Sequence, residues 1–233
     1  MKFDPALETG TVVKRYKRFL ADIRLADGSV VTAHCPNSGS MKSCWAEGWR
    51  ALLSVSDNPR RKLRFTWEMV HNGQCWIGIN TQIPNVIAAE AITAGRIPEL
   101  TGYAELRREV KYGQNSRVDI VARNGETECY IEVKNVTLVD DEGYYAFPDA
   151  VTERGRKHLR ELMKVVRNGH RGVMLFVIQR SDGTGFRAAR DIDPEYAKAL
   201  RKAHRAGVEI LAYLARVTPS MVELTSQSVD FQG

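Results

Sequence analysis

The sequence predicts a mixed α+β fold, with a small β-barrel over residues 1–82 followed by an α/β domain over residues 83–233. Three observations predict it. Short β-like runs separated by turn residues fill the first third of the chain. The pattern changes after Pro84 to alternating strands and helices. The run Val173-Met174-Leu175-Phe176-Val177-Ile178 is apolar throughout, as a strand buried on both faces must be.

The elements follow in order. Residues 11–25 mix basic and apolar residues in a β-like run, and Asp27-Gly28 turns the chain into a partner strand over 30–33. Further strands are expected at 51–55, 63–70 and 75–79, with His71-Asn72-Gly73 turning between the last two. Residues 85–94 have helical composition, with Asn85 as a candidate cap and Gly95 as the stop. Strands are expected at 106–112, 116–122 and 128–136, then a helix over 149–168 closed by Gly169. After the central strand at 172–179, Asp193-Pro194 opens another helix that Gly207 ends, and a last strand runs over 208–217.

Composition bounds the function. A hydrophobic fraction of 43% supports a real core and argues against disorder. A net charge of +6 favours anionic partners, nucleic acid first. Cys35, Cys44, Cys75 and Cys129 form no C-x-x-C pair, so a zinc site is not indicated and reduced, buried thiols are expected. The start Met1-Lys2-Phe3-Asp4-Pro5 lacks a secretory apolar region, and the longest apolar run falls far short of the roughly 20 residues of a membrane helix. A cytoplasmic protein with no membrane partner is expected.

The chemistry concentrates between Ser116 and Lys134. Asn124-Gly125 is a strong hairpin signal, and placing these two in the turn sets Asp119 opposite Tyr130. Side chains alternate with period two, so Asp119, Glu132 and Lys134 share one face. Asp119 and Glu132 are then diagonal neighbours, roughly 7–8 Å apart at the backbone. A bare E-x-K recurs by chance; the acid on the preceding strand, the turn and the apolar residues behind make the pattern specific. Two carboxylates suit a hard cation such as Mg²⁺ or Mn²⁺, with the carbonyl of Val133 as a further ligand and Lys134 beside the attacking water. Glu90, on the preceding helix, is the candidate for an additional acid; an ordinary surface glutamate reads the same way.

Asp119 followed by Glu132-Val133-Lys134 resembles the PD-(D/E)XK nuclease motif, with Val118 where that motif has proline. The whole chain resembles the bacterial sugar fermentation stimulation protein A family. The resemblance rests on Cys35-Pro36-Asn37-Ser38-Gly39-Ser40-Met41, Ser116-Arg117-Val118-Asp119, Glu132-Val133-Lys134-Asn135-Val136 and the stretch from Phe147-Pro148-Asp149 to Arg154-Gly155. It implies an N-terminal OB-like barrel and a restriction-endonuclease-like α/β domain with a mixed central sheet. It also implies sequence-independent DNA binding and a link to sugar (maltose) metabolism.

Three basic features are candidates for phosphate contact. Thr152, Arg154, Arg156, Arg160 and Lys164 begin and stripe the helix after the site. Arg15, Lys17 and Arg18 lie beside Tyr16 and Phe19, and Arg61 and Arg64 lie beside Phe65, interleaving cations with rings. The Asn37–Ser40 loop offers backbone amides. Each also reads as an ordinary solvated surface or turn. His158 lies near the start of the basic helix, where it is either structural or close to substrate. The resulting expectation is a metal-dependent nuclease acting on double- or single-stranded DNA, with RNA possible. The alternative is a non-catalytic DNA-binding regulator.

Overall fold

A computed structural model describes residues 1–112 and 116–233, with nothing described for the Ser116 side chain. In the first half, β1 (Glu8–Tyr16), β2 (Leu20–Leu25), β3 (Val30–His34), β4 (Arg50–Val55) and β5 (Phe65–His71) close a five-stranded barrel. All neighbours are antiparallel except β3 and β5, whose parallel pairing completes the ring, and β6 (Trp76–Gly78) extends β5. Alternate residues point inward, so Val12, Ile23, Ala33, Leu53 and Trp67 fill the interior. The single run expected at residues 11–25 is two strands. Lys17 and Arg18 turn between them with φ of 48° and 63°, a left-handed conformation for which neither residue type is a signal.

The second half is a three-layer sandwich. Its elements are α1 (Ile83–Thr93), β7 (Glu105–Tyr112), β8 (Ser116–Asn124), β9 (Thr127–Val136), β10 (Leu138–Val139), β11 (Tyr144–Phe147), α2 (Glu153–Arg167), β12 (Arg171–Ile178), β13 (Thr184–Ala188), α3 (Pro194–Arg205), β14 (Glu209–Thr218), β15 (Met221–Ser228) and β16 (Phe231–Gln232). The main sheet runs β15-β14-β12-β9-β8-β7 and is mixed: β12 is parallel to β9 and β14, and the outer pairs are antiparallel. β12 sits at its centre, as its apolar sequence requires. Helix α1 covers one face over Ile120, Ile131, Val133 and Leu175. Helices α2 and α3 cover the other over Met174 and Phe176.

Several elements depart from expectation. β15 and β16 follow the strand expected to be last, and a small sheet β10-β11-β13-β16 lies outside the predicted elements. Its members are two to five residues long, too short for a period to show. Helix α1 starts at Ile83 with Pro84 in its first turn, so Asn85 is an interior residue and not a cap. Met1 and Phe3 pack on the α/β half, and Lys2 bridges Met221, so the barrel strands begin only at Glu8. All four cysteines are free. Among the described residues, no helix is long and apolar enough to cross a membrane.

Candidate active site

The β8–β9 hairpin turns through Gly125 and Glu126, not Asn124 and Gly125. Asn124 pairs with Thr127, and Gly125 takes a φ of 59° that glycine adopts without strain. This moves the register. Tyr130 pairs with Val121, so Asp119 is not opposite Tyr130 and lies beyond the last paired residues. The paired ladder itself ends at Ile120–Ile131. Beyond it Asp119 fills the fork between the strands. Its Oδ2 accepts the Val133 backbone N–H at 2.8 Å, and its Oδ1 accepts Asn85 Nδ2 at 2.9 Å.

Glu132 has no exposed surface. Its Oε2 accepts from Lys134 Nζ at 3.1 Å and from His158 Nδ1 at 2.6 Å, and its Oε1 accepts from the Tyr112 hydroxyl at 3.3 Å. His158 is itself buried and takes Arg154 Nε on its other ring nitrogen at 3.4 Å. Burial alone pushes the Glu132 carboxyl up. The His158 hydrogen bond and the Lys134 charge outweigh burial and hold it at about 2. Asp119 goes the other way: burial raises it, Lys134 draws it back, and the neighbouring Glu132 charge raises it again. Burial and the Glu132 charge also raise Tyr112, which therefore remains a hydrogen-bond donor. One site thus holds two carboxyls of opposite shift, a pattern common where groups are tuned for chemistry.

Asp119, Glu132, Val133 and Lys134 therefore come together, but Glu90 does not join them. Its carboxylate, 46% exposed, holds the Met1 amino group at 2.7 Å. The residue that α1 contributes is Asn85. Sequence reading also left out Tyr112 and passed over Glu161, a buried acid on the apolar face of α2 beside His158. An acid placed three residues after a histidine, between Leu159 and Leu162, was the available signal. Among the described residues, no group of three His, Cys, Asp or Glu side chains is arranged to hold a metal. The donors present, two carboxylates and a backbone carbonyl, still fit Mg²⁺, which typically takes one or two carboxylates and completes its shell with water and phosphate.

The expected phosphate contacts divide. Of the stripe, Arg160 and Lys164 lie on the solvent side of α2, away from the face that carries His158, and Arg156 is half-buried. Arg156 Nη1 is held by Asp193 at 3.1 Å, and Lys164 by Glu161 at 2.9 Å. Thr152 caps α2 by accepting the Gly155 N–H at 3.0 Å. Of this group, Arg154 reaches the site through His158, and Thr152 lines the cleft beside Lys134. In the barrel, Arg15 Nη2 donates to the carbonyls of Asn37 and Gly39 at 3.0 and 2.9 Å, and so fixes the loop rather than offering a free charge. Arg18 binds the Ser38 carbonyl at 2.8 Å from an exposed position, and Lys17 is exposed beside it. Arg61 donates to Thr66 at 2.9 Å, and Arg64 is exposed.

Comparison with known proteins agrees with this architecture. Residues 13–79 match the model of the SfsA N-terminal OB domain, and residues 82–221 match that of the sugar fermentation stimulation protein RE domain. A sugar fermentation stimulation protein homolog of Geobacter sulfurreducens is 57% identical over 221 residues, 95% of this chain and 94% of that protein. One from Geotalea uraniireducens is 55% identical over 227 residues, 97% and 98% of the two chains. The solved structure described as Pyrococcus furiosus SfsA in complex with Ca²⁺ superposes with a TM-score of 0.88 over 100% of this chain and 98% of that one. At 24% identity that likeness speaks for the fold. The chain belongs to the sugar fermentation stimulation protein (SfsA) family.

Proposed function

We propose that this protein is a DNA-binding, divalent-metal-dependent nuclease that hydrolyses phosphodiester bonds at Asp119, Glu132 and Lys134. The observation that carries the reading is the acid pair at the β8–β9 fork with a lysine two residues along. Glu132 is sealed from solvent yet held ionised by His158 and Lys134, so a carboxylate stands ready beside Asp119 at neutral pH. Mg²⁺ or Mn²⁺ is the implied ion, and a fold relative described as a Ca²⁺ complex supports a preference for hard cations.

Asp119, Glu132 and the Val133 carbonyl would hold the ion, which when bound supplies charge neutralisation at the phosphate and a more acidic water. Lys134 then turns from Glu132 toward the phosphate and stabilises the charge that develops on its oxygens. His158 and Tyr112 keep the Glu132 carboxylate oriented. Arg154 stands behind His158, where a substrate phosphate can draw it forward.

Incubation with labelled DNA and Mg²⁺ or Mn²⁺ tests the reading. Cleavage is expected, with loss in EDTA and a fall of at least about 10²-fold in Glu132→Gln and Lys134→Ala. Cleavage that survives Glu132→Gln would reject the site. One observation favours a second reading, a non-catalytic DNA-binding regulator: all four oxygens of the two carboxylates already have hydrogen-bond partners. Salt-sensitive DNA binding without cleavage under any divalent metal would favour it.

A further inference from the structure

A cleft of about 380 Å³ lies between the barrel and the α/β half. Lys134 and Asn135 lie on one side, the Asn37–Gly39 loop and Arg18 on another, and Ala150 to Thr152 close it. It is continuous with the candidate active site through Lys134, which holds Glu132.

The loop is built to stay in place. Arg15 and Arg18 hold its carbonyls, and Asp149 accepts the Met41 N–H at 3.3 Å. A Cβ on Gly39 would run into the Asp149 carboxylate, so only glycine lets the two walls meet there. Among the described residues, three large apolar side chains are exposed: Val151 lines this cleft, and Phe19 is the chain neighbour of Arg18, which lines it. Phe19 is 51% and Val151 is 68% exposed. Phe19 follows Arg18, and its carbonyl accepts the Cys35 N–H at 2.7 Å at the root of the loop. Val151 lines the opposite lip.

We propose that this cleft is a slot for a single strand of nucleic acid, which feeds the strand to Lys134 and the acid pair. Phosphates run past Arg18 and Lys134, and bases rest on Phe19 and Val151. A cavity of this volume is at the small end of pockets that take one organic molecule, which matches a nucleotide-sized length of chain. An exposed aromatic ring beside cations, as Phe19 beside Arg18, is the arrangement that stacks bases without reading sequence, and Val151 offers apolar contact opposite. The proposal rests on the nucleic-acid reading above and narrows its substrate to unpaired strands or frayed ends.

Fluorescence anisotropy in EDTA, at one fixed salt concentration, tests it without cleavage. The probes are a labelled single-stranded DNA, the same sequence as RNA, and the blunt DNA duplex. Single strands of either sugar are expected to bind at least about tenfold tighter than the duplex. The double variant Phe19→Ala, Val151→Ser should lose about tenfold for single strands and little for duplex. Both positions are exposed, so an unchanged melting temperature confirms that the fold is intact. Equal binding of strand and duplex, or a double variant that binds single strands like the wild type, overturns the slot. A slot that passes these tests in a protein that cuts nothing with Mg²⁺ or Mn²⁺ leaves the proposal standing and rejects the nuclease reading.

Discussion

Glu132 shows how a single residue couples stability to pH. Its folded value of about 2 lies below its ordinary 4.5, so the ionised form stabilises the fold. That contribution is fully present above about pH 4.5 and is lost as pH falls toward 2. Glu132→Gln should therefore lose less stability than wild type over that window, measured by urea denaturation at a series of pH values. Equal acid sensitivity would mean that other groups dominate. Asp119 contributes with the opposite sign. Its raised value means that ionisation at neutral pH costs stability, which a site kept for binding tolerates. At this scale the sequence was legible where chemistry follows strand alternation: Asp119, Glu132 and Lys134 share a neighbourhood because β-strands have period two. His158, Tyr112 and Asn85 reach the same carboxylates from a helix, an edge strand and another helix. No local pattern announces a meeting that only the tertiary fold brings about.

At the scale of elements, the start of α3 was legible, while the start of α1, the start of α2 (Glu153, not 149) and the short strands were not. Asp193 caps α3 as its Asp-Pro start suggests, and it also accepts the Thr152 N–H at 2.8 Å, so it joins the starts of two helices. Thr152 caps α2 in turn. Thr152→Ala should cost about 1 kcal/mol, read by chemical denaturation. A cost near zero would mean that Asp193 holds the segment alone. The hairpin register was misread because Asn-Gly most often supplies both turn residues. Here glycine takes the first loop position, and the pairing shifts so that Tyr130 faces Val121 and not Asp119. The basic stripe of α2 was legible as a stripe but not as to its direction: Leu159 and Leu162 turn one side to the sheet, leaving Arg160 on the solvent side.

The whole molecule is held together by a polar seam. Arg180 is 3% exposed, yet its Nη1 donates to the carbonyls of Ser43 and Thr137 at 2.9 and 2.6 Å, and its other nitrogens grip Asp182. Asp182 also accepts Asn72 Nδ2 at 2.6 Å, from the turn between β5 and β6. Gly78 and Gln179 exchange further hydrogen bonds across the same boundary. Arg180→Ala strands a buried carboxylate and several carbonyls, so a loss of about 3–5 kcal/mol is expected. Calorimetry should then resolve separate transitions for the two halves, where the wild type shows one. This seam was not legible in the sequence, because Asn72, Ser43 and Arg180 look like surface residues until the halves meet.

The central claim is that Asp119 and Glu132 together hold a divalent ion next to a bound strand. Titration calorimetry with Mn²⁺, run with and without a single-stranded oligonucleotide, measures this most directly. One ion per chain should bind, more tightly with the oligonucleotide present, and binding should vanish in both Asp119→Asn and Glu132→Gln while their melting transitions remain cooperative. Undiminished Mn²⁺ binding in those variants, or none in the wild type under either condition, would contradict the account.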